Sequence, residues 1–453
     1  MPKHIEPGIS DSPALFIYER PGGRVKNRSR SLSIRNLRAD CLFPSSISKF
    51  EPTPMKHTTE KTQPSSAQAR LRQSALSKTL LFAVLPMLAT PVISSGENIV
   101  GEERTQYERI RIVEVVDGLR HPWAVAFLPE GRMLITEREG RLQRLEDGNL
   151  TRISGLPDDI QATGQGGLMD ILPHHDYPNV DWIYLTYSRR TEGGTATTLI
   201  RGRLDGDALA DVEQIFTQDR GSRPGRHYGS RLAWTNEGHL LMSIGDRGGE
   251  PPRAQDLGDH AGTLLRLNDD GSPAAGNPFE NDDDAHDEIY SYGHRNIQGL
   301  IVNPDNGEIW STEHGPRGGD ELNFHQAGEN YGWPVVSLGL DYGTQEEFRH
   351  TRARTMEGMV DPVYELLPTH APSGLALVTS DRFPNWKGNL LAGGLRSERI
   401  RRLVIRDYEV LHDEEILFQK VGRIRDVREG PDGYLYVLND HSSSSLYRIE
   451  PAD

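Results

Sequence analysis

The chain has 453 residues, 35% of them hydrophobic and 26% charged, with a formal net charge of −15. The charge is uneven: residues 1–96 hold 14 Lys/Arg against 6 Asp/Glu, which leaves the remainder at −23. A body this acidic argues against general nucleic-acid binding, which rests on neutralising phosphates. The single cysteine, Cys41, excludes a disulfide framework, a thiolate zinc site and a cysteine nucleophile in all that follows it.

Residues 1–54 show no hydrophobic periodicity and are expected to be a disordered or mis-assigned N-terminal extension. The run TLLFAVLPMLATPVI (Thr79–Ile93) follows Arg70, Arg72 and Lys78 and precedes Ser94, Ser95 and Gly96. A basic flank, a short apolar run and small residues together describe a secretory signal peptide. The run is about 15 residues long and contains Pro86 and Pro91, whereas a membrane span needs roughly 20. Residues 55–96, opening at Met55, are therefore expected to be a signal peptide, with an uncleaved anchor as the alternative. The expected location is periplasmic or secreted, without stable membrane insertion once the signal is removed.

From about Gln106 one pattern recurs, a short apolar stretch, a Pro/Asp/Asn/Gly turn and a second apolar stretch. In chain order the copies are AVAFLPEGRMLITEREGRLQRL, GLMDILPHHDYPNVDWIYLTYS, SRLAWTNEGHLLMSIGDRG, GLIVNPDNGEIWSTEHG, GLALVTSDRFPNWKGNLLAGG and DVREGPDGYLYVLND, the last ending in SSLYRIEP. EG, NG and DG between apolar runs are hairpin signals. Abundant glycine and proline, 46 and 29 residues, fit many short strands. Six antiparallel units without a long 3.6-residue period predict an all-β, six-bladed β-propeller with four-stranded antiparallel blades over residues 97–453. A pair of β-sandwiches or a β-helix is the competing architecture. A propeller gathers loops from one end of every blade, so polar residues far apart in sequence can share a site.

Four regions at strand-turn junctions are unusually polar. Gly164-Gln165-Gly166-Gly167 is the first. Arg226-His227-Tyr228-Gly229-Ser230-Arg231 follows, with Gly245-Asp246-Arg247-Gly248. The third combines Gly293-His294-Arg295-Asn296, the run EHGPRGGDE (Glu313–Glu321) and Asn330-Tyr331-Gly332-Trp333-Pro334, and the fourth is Arg423-Ile424-Arg425-Asp426. Read locally, His227 is either a general base or a hydrogen-bonded turn residue. Arg423 and Arg425 alternate on a strand and so face one side. Two adjacent guanidiniums call for an anion, supplied either by a carboxylate or phosphate ligand or by acids of a neighbouring blade. Asp320 and Glu321 suit Ca²⁺ or a solvated acidic turn. His174-His175 reads as a surface pair, and no HExxH, GxSxG, Walker or Rossmann motif occurs.

With YGHRNIQGL, EHGPRGGDELN, ENYGWP and RIRDV in that order, the chain from about residue 115 to 450 resembles the soluble glucose/sorbosone dehydrogenases that depend on pyrroloquinoline quinone (PQQ), and within them the bacterial aldose sugar dehydrogenases. The resemblance implies PQQ and Ca²⁺ as cofactors, an aldose substrate oxidised at C1 to a lactone, and an external electron acceptor. It implies that His227 is the general base, oriented by Asp246, and that Arg295 and Asn296 sit at the reactive carbonyls of the quinone. Gln165 and Tyr342 are implied to line the cofactor pocket, with Arg396, Arg423 and Arg425 gripping its carboxylates. The carbonyls of Gly315 and Pro316 are implied ligands of the cofactor's Ca²⁺, and Glu321 and Tyr331 of a second, structural Ca²⁺. Arg226 stands where glucose-oxidising relatives often carry Asp, which favours the broader aldose group. A monomer or homodimer is expected. Two other readings are a calcium-dependent propeller hydrolase of lactonase type and a non-catalytic propeller that binds glycans or proteins.

Overall fold

The computed structural model describes residues 98–452, and Cys41, Met55 and the apolar run of the leader lie outside them. Every one of the six copies contains the two inner strands of a blade, and the first runs on into its third strand. The innermost strands are Pro122–Phe127, Leu168–Pro173, Leu232–Trp234, Ile297–Val302, Pro372–Leu377 and Ile424–Glu429. They touch one another in that cyclic order, the last against the first, which closes a ring of six. Five sheets have four antiparallel strands. The two 3₁₀ turns, Pro129–Gly131 and Pro251–Gln255, are the helical elements among the described residues, and no helix there is long and apolar enough to cross a membrane.

The local reasons are visible in the hairpins. Gly131, Gly238, Gly307 and Gly433 close four of the inner turns at φ of +75°, +85°, +77° and +79°. A side chain at such a left-handed position costs about 1–2 kcal/mol, so these turns select glycine. The strands between them carry almost unbroken apolar runs because both blade faces are covered. In Leu435–Asn439, Leu435 and Val437 pack toward the fifth blade while Tyr436 and Leu438 pack toward the first. Period-two alternation thus feeds two cores from one strand. Six hydrophobic clusters result, one in each interface between neighbouring blades.

The sixth blade is built from both ends of the described chain. Strand Arg109–Leu119 pairs antiparallel with Ser444–Pro451, from Ile110 opposite Pro451 to Leu119 opposite Ser444. Asn98–Arg104 then adds outside it, so this blade has five strands. Ile110 and Ile112, both buried, seal the cluster shared with the fifth blade. Charged side chains of the innermost strands pair within and between blades along the channel. Arg231 meets Asp426 at 2.8 Å, Arg428 meets Asp426 at 2.9 Å, and Arg428 also pairs with Asp170. Burying such charges is tolerable only because each is paired and hydrogen-bonded.

One surface expectation needs correction. His175 is exposed, but His174 is buried, packed edge-on to Trp234 with ring centroids 5.1 Å apart. Its Nδ1 accepts a hydrogen bond from the Asp176 amide, and burial pushes its pKa down.

Candidate active site

Connections that enter an innermost strand, and those that leave the second strand of a blade, emerge on the same end of the propeller. The polar regions singled out in the sequence occupy these connections, except Asn330–Pro334, which lies in the long segment between the third and fourth strands of the fourth blade. His227 lies in the segment between Ala208–Thr217 and Leu232–Trp234, and Asp246 follows Leu240–Ile244. The His227 Nδ1 is 2.6 Å from Asp246 Oδ1. The carboxylate is fixed by two further donors, the Gly248 amide at 2.7 Å to Oδ1 and the Trp333 indole N–H at 2.8 Å to Oδ2. Against the cost of burial, His227 and Arg295 keep Asp246 ionised, with its pKa lowered. Burial and the nearby Arg295 charge lower the His227 pKa, with Asp246 opposing them. At neutral pH the ring is therefore neutral, with its proton on the Nδ1 that faces the carboxylate. Nε2 keeps its lone pair, as a base requires.

The backbone at His227 is held in a left-handed conformation, φ +53°. A buried arginine holds it there, since Arg247 Nη1 donates to the carbonyls of Arg226 (2.6 Å) and His227 (2.9 Å), and its guanidinium stacks 3.6 Å from the Tyr228 ring. The Gln165 side-chain carbonyl accepts the His227 amide at 2.8 Å. Gly245 permits the close approach, because a Cβ there would lie 2.3 Å from the His227 carbonyl oxygen.

Arg295 and Asn296 enter from the fourth blade. Glu313 Oε2 accepts the Arg295 amide at 2.7 Å, and Arg295 Nη1 donates to the His314 carbonyl at 3.1 Å. Its Nε is buried without a partner, and its guanidinium lies 5.3 Å from the Trp333 ring centre. Asn296 Oδ1 accepts the Gly229 amide at 3.1 Å. His314 is driven to a pKa of about 3 by burial and by Arg295, so the positive charge of this region stays on the guanidinium.

Arg423 and Arg425 do face one side, as their alternation requires. Both reach Asp440 Oδ2, at 3.3 and 2.8 Å. The anion that two adjacent guanidiniums need is thus present in the protein, supplied by their own blade rather than a neighbouring one. Against burial, Arg425 and His121 hold the Asp440 pKa low. One carboxylate does not saturate two guanidiniums, and the Arg423 side chain remains 46% exposed. Arg396 and Arg138 border the same region and have no ion pair among the described residues. The central cavity touches Arg138, Gln165, Asn296, His314, Arg423 and Arg425. A cleft of about 410 Å³ continues from it along Gln165, His227, Arg295, Trp333 and Tyr342. A third space, about 820 Å³, joins at Tyr342 and runs past Pro316 to Arg396. A set of underneutralised cations around these adjoining spaces, in a chain of net charge −15, fits a polyanionic ligand.

The expected calcium ligands divide into two groups. The Gly315 amide donates to Asp320 Oδ1 at 3.1 Å, and the Pro316 carbonyl accepts the Tyr342 hydroxyl at 2.9 Å. Asp320 is not presented to a cation. Its Oδ2 takes the His370 and Ala371 amides at 2.8 and 2.7 Å, which makes it a backbone clamp for the turn. Glu321 is different. Burial pushes its pKa well up and the Glu313 charge adds to this, while the Asn323 amide bridges the two carboxylates. Two carboxylates crowded in this way suit a hard divalent cation. The Tyr331 hydroxyl is spent on the Phe324 carbonyl at 2.6 Å, so its phenol is not free to be a ligand.

The family model described as Glucose / Sorbosone dehydrogenase matches residues 119–448. The chain belongs to the glucose/sorbosone dehydrogenase family. Among relatives of this family is the aldose sugar dehydrogenase YliI of Escherichia coli, 40% identical over 346 residues that cover 75% of this chain and 92% of the relative. The crystal structure of the soluble E. coli aldose sugar dehydrogenase in its apo-form superposes with a TM-score of 0.73 at 39% identity, covering 76% of this chain and 100% of that one. The PQQ-bound aldose sugar dehydrogenase of Streptomyces coelicolor gives a TM-score of 0.62 at 27% identity, covering 75% and 98%. Family membership makes this chain an oxidoreductase and sets aside the hydrolase and the non-catalytic propeller.

Trp333, Asp440, Glu313 and Arg138 were not assigned roles from the sequence. Trp333 lay within ENYGWP, and its indole N–H was the available signal, since a buried tryptophan usually finds an acceptor. Asp440 follows the last inner hairpin, where an acid opposite RIRD was the missing counter-charge.

Proposed function

We propose that the protein oxidises aldose sugars at C1 to lactones, with PQQ and Ca²⁺ as cofactors and His227 as general base. The observation that carries this reading is His227, its Nδ1 fixed 2.6 Å from Asp246, beside Arg295 on a cleft rimmed by cations. Arg396, Arg423 and Arg425 would hold the cofactor carboxylates by charge-assisted hydrogen bonds. The Gly315 and Pro316 carbonyls would hold its Ca²⁺, and Glu321, with the main chain at Tyr331, a second Ca²⁺. When bound, PQQ supplies the electrophilic carbon that accepts hydride, and Ca²⁺ sharpens it as a Lewis acid.

The protein's own part is placement and proton transfer. Nε2 of His227 takes the proton of the anomeric hydroxyl as C1 gives up its hydride, and Asp246 stabilises the imidazolium that forms. Arg295, buried and with a donor to spare, stabilises negative charge developing beside it. Gln165 and Asn296 fix the backbone of the histidine turn. Buried Trp333 walls the cleft against water, exposed Tyr342 borders it, and Arg226 at its mouth bears on which sugars enter. Electrons then leave to an external acceptor. Residues 55–96 act as a signal peptide, so that residues 97–453 work in the periplasm or outside the cell. The test is reconstitution of purified protein with PQQ and Ca²⁺, an aldose panel and a redox dye. Dye reduction with lactone formation is expected, and no reduction with any aldose, despite retained quinone absorbance, overturns the reading.

A further inference from the structure

A second cluster of titratable groups lies outside the cleft. Asp219 follows the outer strand of the second blade, His260 precedes the third strand of the third blade, and His286 precedes that blade's fourth. Asp219 Oδ1 is 2.8 Å from His260 Nδ1, and Oδ2 is 3.2 Å from His286 Nε2. The two imidazoles stack with centroids 3.9 Å apart and planes 9° from parallel. One donor atom from each of the three residues lies within 4.8 Å of the others. The far nitrogen of the buried His260, Nε2, is fixed by Glu288 at 2.7 Å.

This is the outer shell a metal-binding histidine uses, with one nitrogen toward the ion and the other anchored by a carboxylate that sets tautomer and orientation. Neighbouring cations do not compete for Asp219. Arg220 turns to Glu250 (2.8 Å) and Asp259 (3.3 Å), and Arg253 takes Asp259 from the other side at 2.6 Å. Phe216 covers His260 edge-on at 5.1 Å.

We propose that Asp219, His260 and His286 bind a divalent transition-metal ion, best matched by Zn²⁺, which takes two imidazoles, a carboxylate and water in a tetrahedral shell. The ion ties the connection that carries His227, eight residues beyond Asp219, to the third blade. Its role is to stabilise that connection, and the proposal does not depend on the chemistry of the cleft.

The experiment uses the full chain, stripped with chelator, returned to excess Ca²⁺ and titrated calorimetrically with Zn²⁺ at pH 7.5. One Zn²⁺ per chain is expected, undisplaced by Ca²⁺. Both His286→Ala and Asp219→Asn should weaken binding at least tenfold, and Glu288→Gln by about 10–100-fold. His286 and Asp219 are partly exposed, with side chains 30% and 34% accessible, so these variants should fold. Bound Co²⁺ should give visible absorption that the His286→Ala protein lacks. No Zn²⁺ step in the wild type, or a step unchanged in both variants, overturns the proposal.

Discussion

Replacing Asp246 with Asn tests how the histidine is made a base. Three donors surround the carboxylate: His227 Nδ1–H and the Gly248 amide at Oδ1, and the Trp333 indole at Oδ2. An Asn side chain has one oxygen, and it satisfies more donors on the Oδ1 side, so its NH₂ is forced against the Trp333 N–H. The tautomer of His227 survives, but the negative charge that stabilises the imidazolium does not. A unit charge about 4 Å away, at an effective dielectric near 20, is worth about 4 kcal/mol. Since proton transfer is incomplete in the transition state, a fall in kcat of about 10²–10³-fold is expected. Asp246 also raises the His227 pKa. Its loss must lower that pKa further, and activity that needs neutral histidine then persists to lower pH. The assay is steady-state dye reduction from pH 4 to 9 at saturating aldose. A kcat within about threefold of wild type, with an unmoved acidic limb, refutes the reasoning.

Three further outcomes follow from the same geometry. Trp333→Phe keeps a ring near Arg295 but removes the donor to Asp246 Oδ2, and loss of a hydrogen bond to a charged group, about 1.5–3 kcal/mol, should lower kcat roughly 10–100-fold with the melting temperature little changed. Arg423→Ala, at a half-exposed position already sharing Asp440 with Arg425, should weaken PQQ binding by about 10–100-fold in a fluorescence titration, while kcat at saturating PQQ stays near wild type. Glu321→Gln replaces a carboxyl whose ionisation is opposed by burial and by Glu313, so the calcium-free protein should melt at a higher temperature than wild type, and the rise in melting temperature on adding Ca²⁺ should shrink.

Much of the fold was legible because the inner hairpins advertise themselves. Runs such as LLMSI and LYVLN feed two inter-blade cores, and a left-handed glycine closes the turn before each. The outer strands were not, since Ala208–Thr217 and Glu409–Ile416 bury few residues and their polar residues carry little periodic signal. Closure of the ring pairs Arg109–Leu119 with Ser444–Pro451 across nearly the whole described chain, which no local pattern announces. At the site, His227, Asp246, Arg295 and the arginine pair were marked by clustered polarity at strand ends. Their supports were not, because a buried indole or a carboxylate is assigned by what it faces. His174 shows the same limit, as adjacent histidines look like surface until Trp234 covers one of them.

The most direct test of the account is a single turnover without electron acceptor. Protein loaded with PQQ and Ca²⁺ is mixed with an aldose carrying protium or deuterium at C1, and the quinone absorbance is followed with product analysis. The expected result is one lactone formed per cofactor reduced, with reduction markedly slower for the deuterated sugar. Sugar consumed without loss of the quinone spectrum, or cofactor reduction indifferent to deuterium at C1 when chemistry limits the rate, would contradict hydride transfer from C1 as the function of this cleft.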